Sequence, residues 1–121
     1  MNKLTTNFKF KKTAIIIGGG RMGQVYISCL KKLKIKLLCV IEKSLKKKKE
    51  LKNKFLIDEK IILNSLNYSK LSTKPDLIII STTADTHFDF TKQAMQNNIK
   101  FILVEKPVCR SLKECEKLIY L

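Results

Sequence analysis

All four glycines of the chain stand within six residues, in the segment GGGRMG, and Gly18, Gly20 and Gly23 have the spacing G-x-G-x-x-G. That spacing serves a backbone that must come close to something. The first glycine permits a tight turn, the second leaves room for an approaching pyrophosphate, and the third lets a helix pack closely on the preceding strand. Unpaired N–H groups at the start of such a helix, those of Arg21 and Met22 included, then face the phosphates together with the positive end of the helix dipole. Glu42 follows at the distance where an acid completes the pattern, about 20 residues on. A carboxylate there accepts hydrogen bonds from ribose hydroxyls and repels a 2′-phosphate. The expected ligand is therefore a dinucleotide, and Glu42 argues for NAD over NADP, although Lys43 and Ser44 beside it could accommodate a phosphate.

Two further segments carry polar groups at the ends of apolar runs: Ser81, Thr82, Thr83 and His87, then Glu105, Lys106 and Pro107. A lysine at the C-terminal edge of a sheet, near the crevice where ligands bind, can hold a substrate oxygen and tune its proton transfer. Pro107 stiffens the backbone next to it. A lone histidine on an inner helical face is more often structural, so His87 is read as lying beside the cofactor with no catalytic role.

The elements that must position these residues follow from periodicity. TAIII (13–17) is a short β-branched run ending in glycines, as in a buried parallel strand. From Arg21 to Leu33, Met22, Val25, Tyr26, Cys29, Leu30 and Leu33 follow the rule of one buried helical face. Residues 35–41 predict a second strand, and Ser44 caps a lysine-rich helix to about Phe55, anchored by Leu45, Leu51 and Phe55. Strands are expected at 60–63, 76–80 and 100–104. A helix capped by Asp85 or Thr86 runs to about Asn97, with His87, Phe90, Ala94 and Met95 on its inner face. Ser111 and Glu114 form a capping box for the last helix, whose apolar stripe is Leu112, Cys115, Leu118 and Ile119. Alternating strands and helices imply right-handed crossovers. The expected fold is α/β, a Rossmann-type three-layer α/β/α arrangement around an open, mainly parallel sheet, with one dinucleotide-binding domain over residues 1–121.

At STTADTH (81–87) and VEKPVCRSLKECEKL (104–118) the chain resembles the glucose-fructose oxidoreductase/inositol dehydrogenase (Gfo/Idh/MocA) family. The likeness covers nearly the whole chain. It implies an NAD-binding N-terminal domain of an oxidoreductase, with Ser81, Thr82, Thr83, His87, Glu105 and Lys106 at the cofactor. In the family the lysine of Glu-Lys-Pro reaches toward both the nicotinamide and the substrate hydroxyl, which makes Lys106 the catalytic candidate. The family pattern Thr-Pro-Asn-x-x-His is matched by Thr82 and His87, while Thr83 and Ala84 depart from it. Family members continue with a second domain that binds substrate, and these 121 residues cannot encode it. The resemblance therefore implies cofactor binding with little turnover, a sugar, inositol or similar polyol being bound only with a second domain. The alternative is a stand-alone dinucleotide-binding or sensing module.

Composition narrows the partners. The net charge is +15, but of 25 basic residues only Arg21 and Arg110 are arginines. Specific nucleic-acid surfaces favour arginine and interleaved aromatics, so nucleic acid is not the expected partner, and the seven lysines from Lys43 to Lys54 read as a solvated helix face. No apolar run approaches the roughly 18 residues of a membrane span, and the run Ala14 to Ile17 is too short for a signal-peptide core. A soluble, cytoplasmic protein is expected. Cys29, Cys39, Cys109 and Cys115 form no C-x-x-C pair and predict no zinc site or disulfide framework; Cys29 and Cys39 read as buried small hydrophobes. The stripe on the last helix suggests weak homo-oligomerisation.

Overall fold

The computed structural model describes residues 12–121, so the expected domain start at residue 1 lies outside the described residues. Strands and helices alternate as β1 (Thr13–Ile17), α1 (Arg21–Leu33), β2 (Lys36–Ile41), α2 (Leu45–Lys54), β3 (Ile62–Leu63), β4 (Leu77–Ile80), α3 (His87–Gln96), β5 (Phe101–Val104) and α4 (Leu112–Ile119). All neighbouring strands are parallel, in the order β3-β2-β1-β4-β5. This is an open Rossmann-type sheet. The chain adds β2 and β3 on one side of β1, then crosses back to add β4 and β5 on the other. Connections leaving β1 and β4 therefore diverge, and a crevice opens at their C-terminal ends.

Alternation within the strands divides the core in two. Ala14, Ile16, Val40 and Ile79 meet Ile27 and Leu30 of α1 and Leu51 of α2 on one face. Ile15, Ile17, Cys39, Ile41, Ile78 and Ile80 meet Ala94 and Ile99 on the other. Strands buried on both faces favour such continuous β-branched runs, and each fully buried isoleucine stabilises the fold by roughly 1.5–3 kcal/mol.

Several expected details are corrected. Burial on α1 falls on Gly23, Ile27 and Leu30, with Tyr26 packed against the same core, while Met22, Val25, Cys29 and Leu33 are exposed. The helix must bring Gly23 onto the turn, so the inward face is the one that Gly23 shares with Ile27 and Leu30. On α2, Leu51 is buried and Leu45 exposed; six residues apart, they point roughly 120° away from one another. The third strand pairs only through Ile62 and Leu63, because a 3-10 turn occupies Glu59–Ile61. A further 3-10 turn, Ala84–Thr86, leads into α3, and Thr86 makes no side-chain cap, its hydroxyl donating back to the Thr83 carbonyl at 2.8 Å. The buried face of α3 is His87, Thr91 and Ala94, Phe90 and Met95 being half-buried. Ser111 does cap α4 by accepting the Glu114 N–H, whereas Glu114 accepts the N–H of Arg110. Of the stripe on α4 only Leu118 is buried; Leu112 and Ile119 are exposed.

Candidate functional site

The crevice is built around the turn that ends β1. Gly18 has φ +101°, a conformation L side chains rarely adopt, and a Cβ there would stand 2.6 Å from the Ser81 carbonyl oxygen. Its N–H donates to the Ile41 carbonyl at 2.8 Å, and the Ser81 hydroxyl donates to the Gly18 carbonyl at 2.9 Å. The turn is thus tied to the ends of both β2 and β4. At Gly23 a Cβ would lie 1.9 Å from the Gly18 carbonyl oxygen, so α1 rests directly on the turn. Gly20, the N-cap of α1, has no side-chain cap, and the nearest atom to a Cβ there would be Lys47 Nζ at 3.4 Å. Bare backbone at Gly20 and the orphan N–H groups of the first turn suit an anionic pyrophosphate.

Glu42 follows β2 and faces the same turn. Gly19 donates its N–H to Oε1 at 2.8 Å, and Ser44 donates its N–H to Oε2 at 2.9 Å. The carboxylate is therefore fixed across the glycine turn, with its remaining lone pairs free to accept ribose hydroxyls. After β4, His87 is 2% exposed, and its Nδ1 and Nε2 lie 2.7 Å and 2.9 Å from the carbonyl oxygens of Pro107 and Thr82. A neutral ring donates to one of these at a time. The histidine so joins the loop after β4 to the loop after β5. In that second loop the Lys106–Pro107 peptide is cis, and Tyr26 of α1 donates its hydroxyl to the Glu105 carboxylate. That hydrogen bond, with burial and the charge of Glu105, pushes the Tyr26 hydroxyl up to about 12.

A cavity of about 610 Å³ occupies the crevice, within the usual size range of a small-molecule or cofactor site. Gly18, Gly20, Arg21, Met22, Glu42, Ser81, Thr82 and Thr83 line it. Gly23 and His87 support the lining from behind. Glu105 is turned to Tyr26, and Lys106 is exposed after β5, outside the lining. Lys43, Lys47, Asn64, Ser65, Leu66, Thr86, Phe90 and Gln93 add to the wall. Of these, Lys43, Thr86 and Phe90 were named from sequence, Phe90 as part of the inner face of its helix. Asn64 to Leu66 follow a two-residue strand that periodicity barely marks, but the position of Lys47 one turn before the anchoring Leu51 is a usable signal. Arg21, Lys43 and Lys47 oppose the single carboxylate of the lining, Glu42, which leaves the cavity net positive.

A parallel sheet of this order, with a glycine turn, an acid after β2 and a cavity at the switch point, defines a dinucleotide-binding Rossmann domain. The profile of the Gfo/Idh/MocA oxidoreductase family, NAD-binding Rossmann fold, matches residues 12–121. The chain belongs to this family, and its cofactor is NAD. Solved structures of similar fold include GenD2 from gentamicin A biosynthesis, in complex with NAD (TM-score 0.74, 22% identity, 88% of this chain and 30% of that one). Others are myo-inositol 2-dehydrogenase from Lactobacillus plantarum (0.69, 24%, 90% and 32%) and UDP-N-acetylglucosamine 3-dehydrogenase GnnA from Acidithiobacillus ferrooxidans (0.72, 23%, 90% and 34%). At these identities the likeness is one of fold. The chain spans about a third of the length of these structures. No curated protein matches it in sequence. Among the described residues, no helix is long and apolar enough to cross a membrane.

Proposed function

We propose that residues 12–121 hold NAD(H) in this cavity as the cofactor-binding part of an oxidoreductase acting on a sugar, inositol or similar polyol. The observation that carries the reading is the meeting of Gly18, Glu42 and Ser81 at one switch-point cavity. Bound NAD supplies the hydride chemistry; the chain binds and orients it. Gly20 and the first turn of α1 take the pyrophosphate, and Glu42 takes the ribose hydroxyls, which favours NAD(H) over NADP(H). Ser81, Thr82 and Thr83 form the wall beyond the turn. Lys106 is assigned to the reacting end through the resemblance of Glu105-Lys106-Pro107 to the family motif. Turnover requires a substrate held against the cofactor, so the described residues are assigned binding with little turnover. Cytoplasmic location and homo-oligomer contacts through exposed Leu112 and Ile119 belong to the same reading.

Calorimetric titration with NAD, NADH, NADP and NADPH tests it. NADH should bind more tightly than NADPH; absence of binding, or the reverse order, overturns it. A second reading, a dinucleotide-binding or sensing module without catalysis, is favoured by one observation: Lys106 is exposed and does not line the cavity.

A further inference from the structure

The lysines of α2 are exposed except for half-buried Lys48, and one of the exposed ones, Lys47, reaches the glycine turn. Leu51 is fully buried, and a Cβ on Gly19 would stand 2.7 Å from its Cδ1, so Leu51 packs directly against the turn. Residues four apart on a helix share a face. The packing of Leu51 therefore directs Lys47, one turn earlier, along that face to the glycines. There Lys47 Nζ is the nearest atom to the open side of Gly20, 3.4 Å from the position of a Cβ, and Lys47 and Gly20 both line the cavity. Ser44 fixes the start of the helix by accepting the Lys47 N–H at 3.3 Å.

The charge arrangement gives this placement a chemical meaning. Among the described residues Lys47 forms no ion pair. Glu42, the one carboxylate of the lining, is occupied on both oxygens by backbone N–H groups. An ammonium beside a bare glycine backbone and the orphan N–H groups of α1 is complementary to a pyrophosphate dianion. We infer that Lys47 is a pyrophosphate-binding residue, a contact supplied by the second helix in addition to the N–H groups of the first. The inference rests on the dinucleotide reading above. It differs from a 2′-phosphate contact, in which Lys47 would act with Lys43 on NADP(H) alone.

The test is calorimetric titration of the full chain and of Lys47→Ala, Lys47→Arg and Lys49→Ala with NADH, NADPH and ADP-ribose, with adenosine followed by NMR. Lys47→Ala should weaken NADH, NADPH and ADP-ribose by a common factor of about five, the size expected for a rim contact to a charged group. Lys47→Arg should restore affinity to within about twofold, and the deficit should shrink at high salt. Adenosine, which has no phosphate, should bind both forms equally. A loss confined to NADPH would assign the lysine to a 2′-phosphate, and an equal loss in Lys49→Ala would reduce the effect to general charge; either result, or no loss at all, overturns the inference. A wild-type chain that failed to bind ADP-ribose would remove the nucleotide site itself.

Discussion

Gly20 and Gly23 stand three residues apart in one motif, yet the structure separates what each does. A Cβ at Gly23 meets the Gly18 carbonyl oxygen at 1.9 Å, so the turn or the helix must move by about 1.1 Å to reach even the 3.0 Å that real contacts essentially never undercut. Backbone lies on both sides of that contact, and the hydrogen bond from Ser81 to the Gly18 carbonyl would be strained with it. Gly23→Ala should then cost about 3 kcal/mol, the upper end for overpacking, and lower Tm by roughly 10 °C or more in a chain of this size. At Gly20 the only near atoms are the terminal Nζ and Cε of Lys47 at 3.4 and 3.7 Å, which can swing away. Gly20→Val should therefore change stability by no more than about 1 kcal/mol, an Ncap loss partly offset by a stiffer unfolded chain, while its side chain fills the approach of the pyrophosphate. Circular-dichroism melts read the first quantity and NADH calorimetry the second. Wild-type NADH affinity in Gly20→Val would refute the ligand role of the turn, and a wild-type Tm in Gly23→Ala would refute the close helix contact.

Other outcomes follow from the same geometry. Glu42→Ala should weaken NADH by about tenfold, the range of a hydrogen bond to a charged group, and narrow the gap to NADPH; competitive titration that found the gap unchanged would count against the ribose contact. Lys106→Ala should leave NADH affinity within about twofold, since the side chain lies outside the cavity lining; a large loss would move Lys106 into the binding site. Burial pushes the Cys39 thiol from 9.0 up to about 11, so roughly one thiol in a thousand is ionised at pH 8. Iodoacetamide should spare Cys39 in the folded chain and reach it in urea, as peptide mapping would show. Because the fold favours the protonated thiol, its contribution to stability is complete below about pH 9 and is lost as pH rises toward 11; a melting temperature that did not fall across that range would contradict this.

Local pattern was a good guide where one constraint acted alone. Each β-branched run became a strand, since Ile15, Ile16, Ile17, Ile78 and Ile80 are buried whichever face they occupy, and the parallel arrangement followed from alternation with helices. Faces of helices were less legible. Hydropathy on α1 points to Met22, Val25, Cys29 and Leu33 as well as to Tyr26 and Leu30, but the steric demand of Gly23 turns Ile27 inward beside Leu30 and leaves those four exposed. A hydropathy count gives glycine no weight, although here the absence of a side chain decides the helix rotation. The same blindness hid Lys47. Lys46 and Lys49 in the same run are exposed as it is, and only the position of Leu51 under Gly19 distinguishes it.

The rotation of α1 has a consequence for the distant Glu105-Lys106-Pro107 segment. With Gly23 on the turn, Tyr26, three residues later, faces the sheet and donates to Glu105, a contact 79 residues apart that no local pattern suggests. On the other side of the same segment, buried His87 sets its Nδ1 2.7 Å from the Pro107 carbonyl oxygen and its Nε2 2.9 Å from that of Thr82, donating to one of them at a time. Glu105 and Pro107 are thus anchored, one to the helix that rests on the glycine turn and one to the loop that lines the cavity. Lys106 lies between two anchors with its own side chain exposed. A backbone fixed on both sides sets where a flexible side chain starts and how far it reaches, so the glycine motif and the Glu-Lys-Pro motif are mechanically one unit. Tyr26→Phe should loosen that unit from the helix end without touching the cavity lining, and His87→Leu from the other end, where it also frees the Thr82 carbonyl behind the lining; amide exchange at residues 104–106 left unchanged by both would refute the coupling.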